Sequence, residues 1–543
     1  MANATVSAGL ASNGPAKPAP ITTANVIGLM DQRTGAARIR LLIGYFAIVM
    51  GMFMAMLDIQ IVASSLSEIQ AGLSAAPDEI AWVQSAYLIA EVVIMPMTGW
   101  LTQLLSTRWM FSISCLGFTL ASAGCAFAWN IESMIAFRAI QGLLGGTMIP
   151  TMFSVSYVVF GGARSTAASA MTAMVITLGP TMGPTLGGWL TSTLSWHWLF
   201  LINLVPGLLV TAATVICLDI DRPNPKLLRQ FDFPGFIFMA IFLSTLEYIL
   251  EEGASKDWLQ SDLILGLTIL SLFTGMAFFW RSLSHDRPLV DLKVFANRDF
   301  SLGCVIGFAM GFILYGSTFL IPLYCARVLN FNAFDIGTIM AITGASQMVG
   351  GPVSTILVRR LDVRLVLGCG LGLVMLGVYL NSDLTSLSGS GDLALPQALR
   401  GFGYMLCGMP ANMIAMANLP IHQIRAASGL FTLVRNLGGA IGLATLNTEL
   451  IQRQRLHMSR LSDAVNSGRT SISSMMDGLT AYLDDRYGGT MDSAAAALKL
   501  MQGLAQQQAA ALTFADLQLM MAMVCLLIAG ALVFVRARPR PNN

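Results

Sequence analysis

The sequence predicts an all-α polytopic membrane protein with fourteen transmembrane helices, two six-helix bundles plus two helices inserted between them. Three observations carry that prediction. Hydrophobic residues make up 55% of the 543-residue chain and charged residues only 11%, with a mean hydropathy of +0.68, and so little charge cannot cover that much apolar surface in water. Fourteen apolar runs each approach the roughly 20 residues that span a bilayer. The chain also repeats itself weakly: Arg138-Ala-Ile-Gln-Gly142 has a counterpart in Arg400-Gly401-Phe-Gly403, and Arg164-Ser-Thr-Ala-Ala-Ser169 in Arg425-Ala-Ala-Ser428-Gly429 at nearly the same offset. Parallel repeats of this kind place a substrate site near the midplane at their interface.

In chain order, residues 1–40 read as a disordered cytoplasmic tail rich in Ala, Pro, Ser, Thr and Asn, without the apolar core of a signal peptide. The runs follow at 41–65, 80–103, 108–128, 132–158, 166–191 and 197–218, giving a first bundle over 41–218. Two inserted helices, 233–251 and 260–283, lie with their loops in 219–300. The second bundle, 301–536, takes the runs 301–326, 334–358, 363–381, 394–417, 426–450 and 514–536, and a tail of 537–543 ends the chain. Lys and Arg concentrate in alternate short loops, at Arg33, Arg38, Arg40, Arg108, Arg164, Arg222, Lys226, Arg229, Arg281, Arg359, Arg360, Arg364, Arg425, Arg536 and Arg538 among others. By the positive-inside rule both termini face the cytoplasm. Trp82, Trp129, Trp196, Trp198 and Trp258 then fall at the outer interface. The outer segment 451–513 is polar, Ala- and Gln-rich and long enough to escape the charge rule; it reads as helices outside the bilayer, either a spacer or a docking element.

Charges within the runs need a reason, since each costs about 2.5 to 3.5 kcal/mol at a helix centre. Asp58 lies in the first run, Glu91 in the middle of the second and Arg138 in the fourth. Gln84, Tyr87, Glu91 and Thr98 share one helical face, Gln141 follows Arg138 by one turn, and Arg435-Asn436 sits in the thirteenth run. These residues line something wet. A buried carboxylate such as Glu91 can take up or release a proton as its site opens to either side, and the alternative is a packing hydrogen bond. Asp58 and Arg138 have a structural ion pair as their alternative reading. Glu247, Glu251 and Glu252 approach the end of the seventh run and read as interfacial. Met52, Met54, Met56, Met95, Met97 and Met148 suit an adaptable apolar pocket, or are ordinary bilayer filler.

The run 166–191 contains Leu-Gly179-Pro180-Thr-Met-Gly183-Pro184-Thr-Leu-Gly187-Gly188. Its glycines recur every fourth residue and form a bare stripe, while the prolines each remove a backbone donor. A smooth, bent helix can be a pivot; a tight packing seam is the plainer reading.

These residues carry a family resemblance across nearly the whole membrane region. Leu57-Asp58-Ile-Gln-Ile-Val62 is similar to the first-span motif of the fourteen-span drug:proton antiporters of the major facilitator superfamily, the EmrB/QacA type. Arg138-Ala-Ile-Gln141-Gly142 resembles their fourth-span basic motif, and Gly179 to Gly188 their fifth-span antiporter motif. Trp196-His-Trp198-Leu-Phe200-Leu-Ile-Asn203-Leu-Val-Pro206-Gly207 and Pro288-Leu-Val-Asp291-Leu-Lys-Val-Phe295 are similar to EmrB-like stretches. The loop after the second span departs from the pattern, with Gln103 where the family has an Asp. The resemblance implies the major facilitator fold, a proton or cation-drug role for Asp58, help in proton transfer from Arg138, and alternating access through the glycine-proline helix. It also implies a bacterial inner-membrane setting, and a periplasmic membrane-fusion adaptor with an outer-membrane channel as partners.

The expected function is a proton-coupled exporter of lipophilic or amphipathic drugs, with small lipophilic substrates, protons and the lipid bilayer as partners. A dedicated exporter of a metabolite, lipid or siderophore fits the same sequence. A non-transporting sensor has no use for Asp58, Glu91 and Arg138 at membrane depth. A net charge of +2 leaves no basic face for nucleic acid. There is no Gly-x-Ser-x-Gly, His-Glu-x-x-His or phosphate-loop motif, so neither an enzyme nor direct ATP drive is expected. The eight cysteines (115, 125, 217, 304, 325, 369, 407 and 525) show no metal-type spacing. No metal or other cofactor is expected, and the proton gradient is the energy source.

Overall fold

A computed structural model describes residues 29–63, 65–76, 79–160, 165–285, 288–416, 419–466, 470–487 and 493–531, all of it helices and their connections. The long helices are α1 (Gly35–Ala63), α2 (Ala81–Leu105), α3 (Thr107–Ala126), α4 (Ile131–Phe160), α5 (Ser165–Thr193), α6 (Trp198–Cys217), α7 (Phe233–Glu252), α8 (Asp262–Ser284), α9 (Arg298–Arg327), α10 (Ala333–Arg360), α11 (Val363–Ser382), α12 (Ser390–Met416), α13 (Ile421–Asn466) and α14 (Ser493–Ala531). Among the described residues twelve helices are long and apolar enough to cross a membrane; α5 and α12, at the other two expected positions, are not among them. Their 29 and 27 residues suffice to span, but they are diluted by Gly, Pro and polar residues. α1 already begins at Gly35, inside the expected tail.

Local chemistry sets the helix ends. Asn130 and Ser133 close a reciprocal capping box at the start of α4, and Asn297, Asn332 and Asp362 cap α9, α10 and α11 with their side chains. Asp232 caps α7 through Gly235 N (3.1 Å) and also accepts from Arg281 Nε (2.7 Å), which ties α7 to α8. Pro96 removes a donor inside α2, and the helix tightens there to a 3₁₀ turn over Met95–Met97.

α1 packs against α4, α5 and α6; α9 against α12 and α13; α11 against α12 and α14; and α5 lies along α10. Close approach is bought with glycine where α2 meets α4, since a Cβ on Gly142 would overlap the Tyr87 carbonyl and one on Gly146 would come within 2.8 Å of the Glu91 carbonyl oxygen. α7 is no bystander. Its Tyr248 ring stacks on Trp82 of α2 at 5.2 Å, and Trp258, just beyond α7, donates to Thr448 Oγ1 of α13 at 3.0 Å. Trp196, between the end of α5 and the start of α6, is 9% exposed and stacks on His197, so it packs into the protein.

The segment 451–513 is largely continuous with its neighbours. α13 runs 46 residues and α14 39, so α13 is about 69 Å long and overshoots a hydrocarbon core of about 30 Å. Between them stands a helix over Thr470–Tyr487. The pair is clamped by Arg453, which binds Glu449 and Asp516 at 2.9 Å each, and by His457 on Asp516 at 2.9 Å.

Gly142→Ala puts a methyl group against the Tyr87 backbone and is expected to destabilise the fold by about 1 to 3 kcal/mol. Gly266→Ala, inside α8 where nothing lies within 4 Å of the added carbon, is expected to stabilise by up to about 1 kcal/mol, the helix-propensity difference between the two residues. Thermal unfolding of the purified protein in detergent checks both.

Candidate functional site

Asp58 sits at 1% exposure on α1, and the glycine stripe of α5 is what turns it inward. A Cβ on Gly179 would come within 2.8 Å of Met56 Cβ, and one on Gly183 would overlap Gln60 Cβ. With α1 held against α5 on that side, Asp58 faces α4 and α6. Its Oδ2 accepts from Arg138 Nη1 at 2.6 Å, and its Oδ1 accepts from Gln141 Nε2 (3.0 Å) and Asn203 Nδ2 (2.8 Å). Arg138, fully buried, also donates to Gln141 Oε1 (2.7 Å) and through Nε to the Val83 carbonyl of α2 (3.0 Å). Its guanidinium lies 4.3 Å from the centre of the Tyr87 ring, and its Nη2 has no hydrogen-bond partner. Asn203 is itself held by Ser122 Oγ at 3.1 Å. Three helices thus meet on one carboxylate, both oxygens of which are answered, and Arg138 ties in α2 as a fourth.

Glu91 lies elsewhere. It is equally buried, yet its Oε1 has no hydrogen-bond partner and no cation lies within ion-pair distance among the described residues. It borders a cavity of about 160 Å³ enclosed by α2, α7, α9 and α13, with Tyr315, Phe319, Asn436 and Leu443 among its walls. The expected polar face of α2 therefore divides. Tyr87 turns to the Asp58–Arg138 network while Glu91 turns to the cavity. Gln84 has a buried, unpartnered Oε1, and Thr98 is buried below the 3₁₀ turn.

Arg435 is buried, donates through Nη2 to Asn436 Oδ1 (3.3 Å) and lies 5.8 Å from the Phe153 ring centre; Asn436 reaches the cavity. Gly187 is buried, and Pro184 and Gly188 are half-buried on the same unbroken α5; the Pro180 side chain lies outside the described residues. Glu247 corrects an expectation. It is not interfacial but 5% exposed, and with Glu251 it lines the same cavity as Glu91. Sequence position near the end of a run hides this, because α7 is covered by α2 and α13 at that level. Sequence reasoning also misses Asn203 and Ser122, although Asn203 stands in the stretch that follows Trp196.

On the face where α1 begins, the α2 and α13 backbones meet. A Cβ on Gly99 would lie 2.8 Å from Ala426 N, and one on Gly429 2.8 Å from the Met95 carbonyl oxygen. Asp221, after α6, locks this contact, accepting from Thr107 N (2.9 Å) and Thr107 Oγ1 (3.1 Å) and pairing with Arg425 Nη2 (2.9 Å). A carboxylate is thus present where Gln103 left none, supplied from another loop. On the opposite side of Glu91 the two helices separate around the cavity. Among the described residues no group of His, Cys, Asp and Glu could hold a metal ion.

Residues 48–443 match the family model of the Major Facilitator Superfamily. The chain is 38% identical over 491 residues to the colistin resistance protein EmrB of Acinetobacter baumannii, covering 90% of this chain and 95% of that one. It is 27% identical to the multidrug export protein EmrB of Escherichia coli (80% and 85% covered) and 27% identical to the fatty acid resistance protein FarB of Neisseria gonorrhoeae (77% and 82%). Among solved structures it is similar in fold to the human organic anion transporter MFSD10, with a TM-score of 0.56 at 14% identity over 91% of this chain and all of that one. The proton:xylose symporter XylE gives 0.53 at 12% identity over 91% and 96%.

Arg138→Met leaves the Asp58 carboxylate buried and unpaired, with an expected loss of about 3 to 5 kcal/mol of stability. Combining it with Asp58→Asn is expected to cost less than the two single changes together, because the partners share one interaction. Detergent melts of the four proteins of this cycle decide it.

Proposed function

The chain belongs to the major facilitator superfamily, and on that premise we propose that it is a proton-coupled antiporter exporting small lipophilic compounds across a bacterial inner membrane by alternating access. Helices α1–α6 and α9–α14 act as the two rocking bundles, with α7 and α8 seated beside them. Both termini face the cytoplasm, so the α2–α13 contact locked by Asp221 and Arg425 closes the cytoplasmic side and the Glu91 cavity leans outward. The observation that carries the reading is the contrast between two buried carboxyls. Asp58 is fully bonded, whereas Glu91 keeps an unpartnered oxygen beside a cavity of mixed polar and apolar wall.

In this reading Glu91 carries the exchanged proton. A bare carboxylate at mid-membrane costs several kcal/mol, so the bundles reorient only when a proton or a substrate occupies the cavity. Exchange is the consequence. A proton entering from outside displaces the substrate, and release of that proton inward re-arms the site. Asp58, Arg138 and Gln141 position α1, α2 and α4 around this step, with the spare Nη2 of Arg138 and the Tyr87 ring linking them to the Glu91 turn. Tyr315, Asn436 and the neighbouring Arg435 complete the cavity wall, and the Gly179 to Gly188 seam lets α1 and α5 slide. The finer partner reading is that α13, Thr470–Tyr487 and α14 beyond the bilayer receive a periplasmic adaptor that leads to an outer-membrane channel. The kinship to a fatty acid resistance protein favours lipid export as the second substrate class.

The test is proton movement in proteoliposomes under an imposed pH gradient with ethidium, tetraphenylphosphonium and oleate. Wild type is expected to dissipate the gradient with ethidium or tetraphenylphosphonium, and Glu91→Gln to lower that flux at least about a hundredfold with the protein intact. Dissipation with oleate alone, in excess of that in protein-free liposomes, moves the substrate class to lipids; no protein-dependent flux with any compound defeats the antiporter reading.

A further inference from the structure

We propose that Glu251 and Glu247 of α7 form the proton route from the far side of the membrane to Glu91, so that an inserted helix is part of the coupling machinery. The inference rests on Glu91 as the coupling carboxyl. Glu247 and Glu251 are four residues apart on one helix, which sets them on one face with Cβ atoms about 6 Å apart. Both line the cavity that Glu91 borders. Oε1 of Glu91, Oε2 of Glu247 and Oε2 of Glu251 are all buried without a hydrogen-bond partner, and the first two side chains belong to residues only 1% and 5% exposed.

Three unanswered carboxyl oxygens around one cavity need water, because a buried acceptor left bare costs about 1 to 3 kcal/mol each. The cavity has room for it. Its volume of about 160 Å³ is well above the roughly 10–15 Å³ that one water requires, enough for water to bridge neighbouring carboxyls. Glu251 is half-buried and stands nearest the end of α7, so it is the entrance; Glu247 is the middle station. The step moves one proton and changes only O–H bonds: Glu251 takes it from hydronium at the mouth, hands it through water to Glu247, and Glu247 to Glu91, each donor returning to the carboxylate.

The other groups facing the route are Arg138 of α4, Tyr315 of α9, Arg435 of α13, Ser85 of α2 beside Glu251 and, on α7 itself, Glu252. α7 is fixed for the task from both sides, by the Trp82–Tyr248 stack and by the Trp258 bond to Thr448. A helix that merely filled space beside the bundles would have no use for a carboxyl on each of two successive turns that line a cavity.

The experiment compares full-length wild type, Glu247→Gln, Glu251→Gln and Glu247→Asp in proteoliposomes, reading ethidium-driven or tetraphenylphosphonium-driven proton flux across a series of external pH values alongside equilibrium binding of the same compound. Glu247→Gln is expected to cut proton flux at least about tenfold, beyond what any change in equilibrium binding accounts for, Glu247→Asp to restore part of it, and Glu251→Gln to shift the flux-against-pH profile. Infrared difference spectra between acidic and alkaline buffer should lose a carboxyl C=O component in Glu247→Gln, a readout that a purely structural side chain would leave in place. Wild-type flux and profile in both Gln variants overturn the route while leaving Glu91 coupling intact. A wild type that moves no protons overturns both.

Discussion

The bilayer's intolerance of unpaired charge governs this structure, and the Asp58–Arg138 pair is where it acts most strongly. An ion pair at zero side-chain exposure survives only with further hydrogen bonds to its remaining lone pairs and protons, and here all but those of Arg138 Nη2 are answered. Gln141, Asn203 and the Val83 carbonyl answer them from α4, α6 and α2. Those bonds require close backbones, and the small residues supply the closeness: Gly179 and Gly183 admit α1 to α5, and Gly142 admits α2 to α4. Polar network and glycine seams are therefore one construction. Neither would persist without the other.

Glu91 shows the same cost resolved differently. Its turn of α2 lies directly beside Gly146 of α4, so its backbone is as firmly held as that of Asp58. Its carboxyl is not, because the facing helices α7, α9 and α13 leave a cavity in place of a partner. Rigid backbone with an uncommitted polar head is thus found on the side of α2 away from the ion pair. Pro96, one turn further on, marks where α2 changes from bordering a cavity to packing on α13.

The helices are legible in the sequence because an apolar run of spanning length has little place outside a bilayer, and Asp58, Glu91 and Arg138 because charge inside such runs is rare. Partnership is not legible. Nothing in the sequence joins Asn203 to Asp58, since which helices meet is decided by tertiary packing. Glu247 looks interfacial because its distance from the run's end is visible, while the seating of α7 between α2 and α13 is not. The erosion at Gln103 suggests a missing latch, and Asp221 supplies one from a loop that no local motif connects to it. The polar stretch 451–513 reads as helix-forming, but its Ala and Gln content cannot say that the helices continue unbroken from α13 and into α14.

That continuity makes α13 a mechanical element. It borders the cavity at Asn436 and remains helical to Asn466, an arm of about 45 Å at 1.5 Å per residue. A tilt of about 5° at the cavity therefore carries its tip about 4 Å sideways. The Arg453–Asp516–His457 clamp couples α14 to the same sweep. Any tilt of α13 deep in the membrane would thus appear as a displacement well beyond it, as at the far end of a lever.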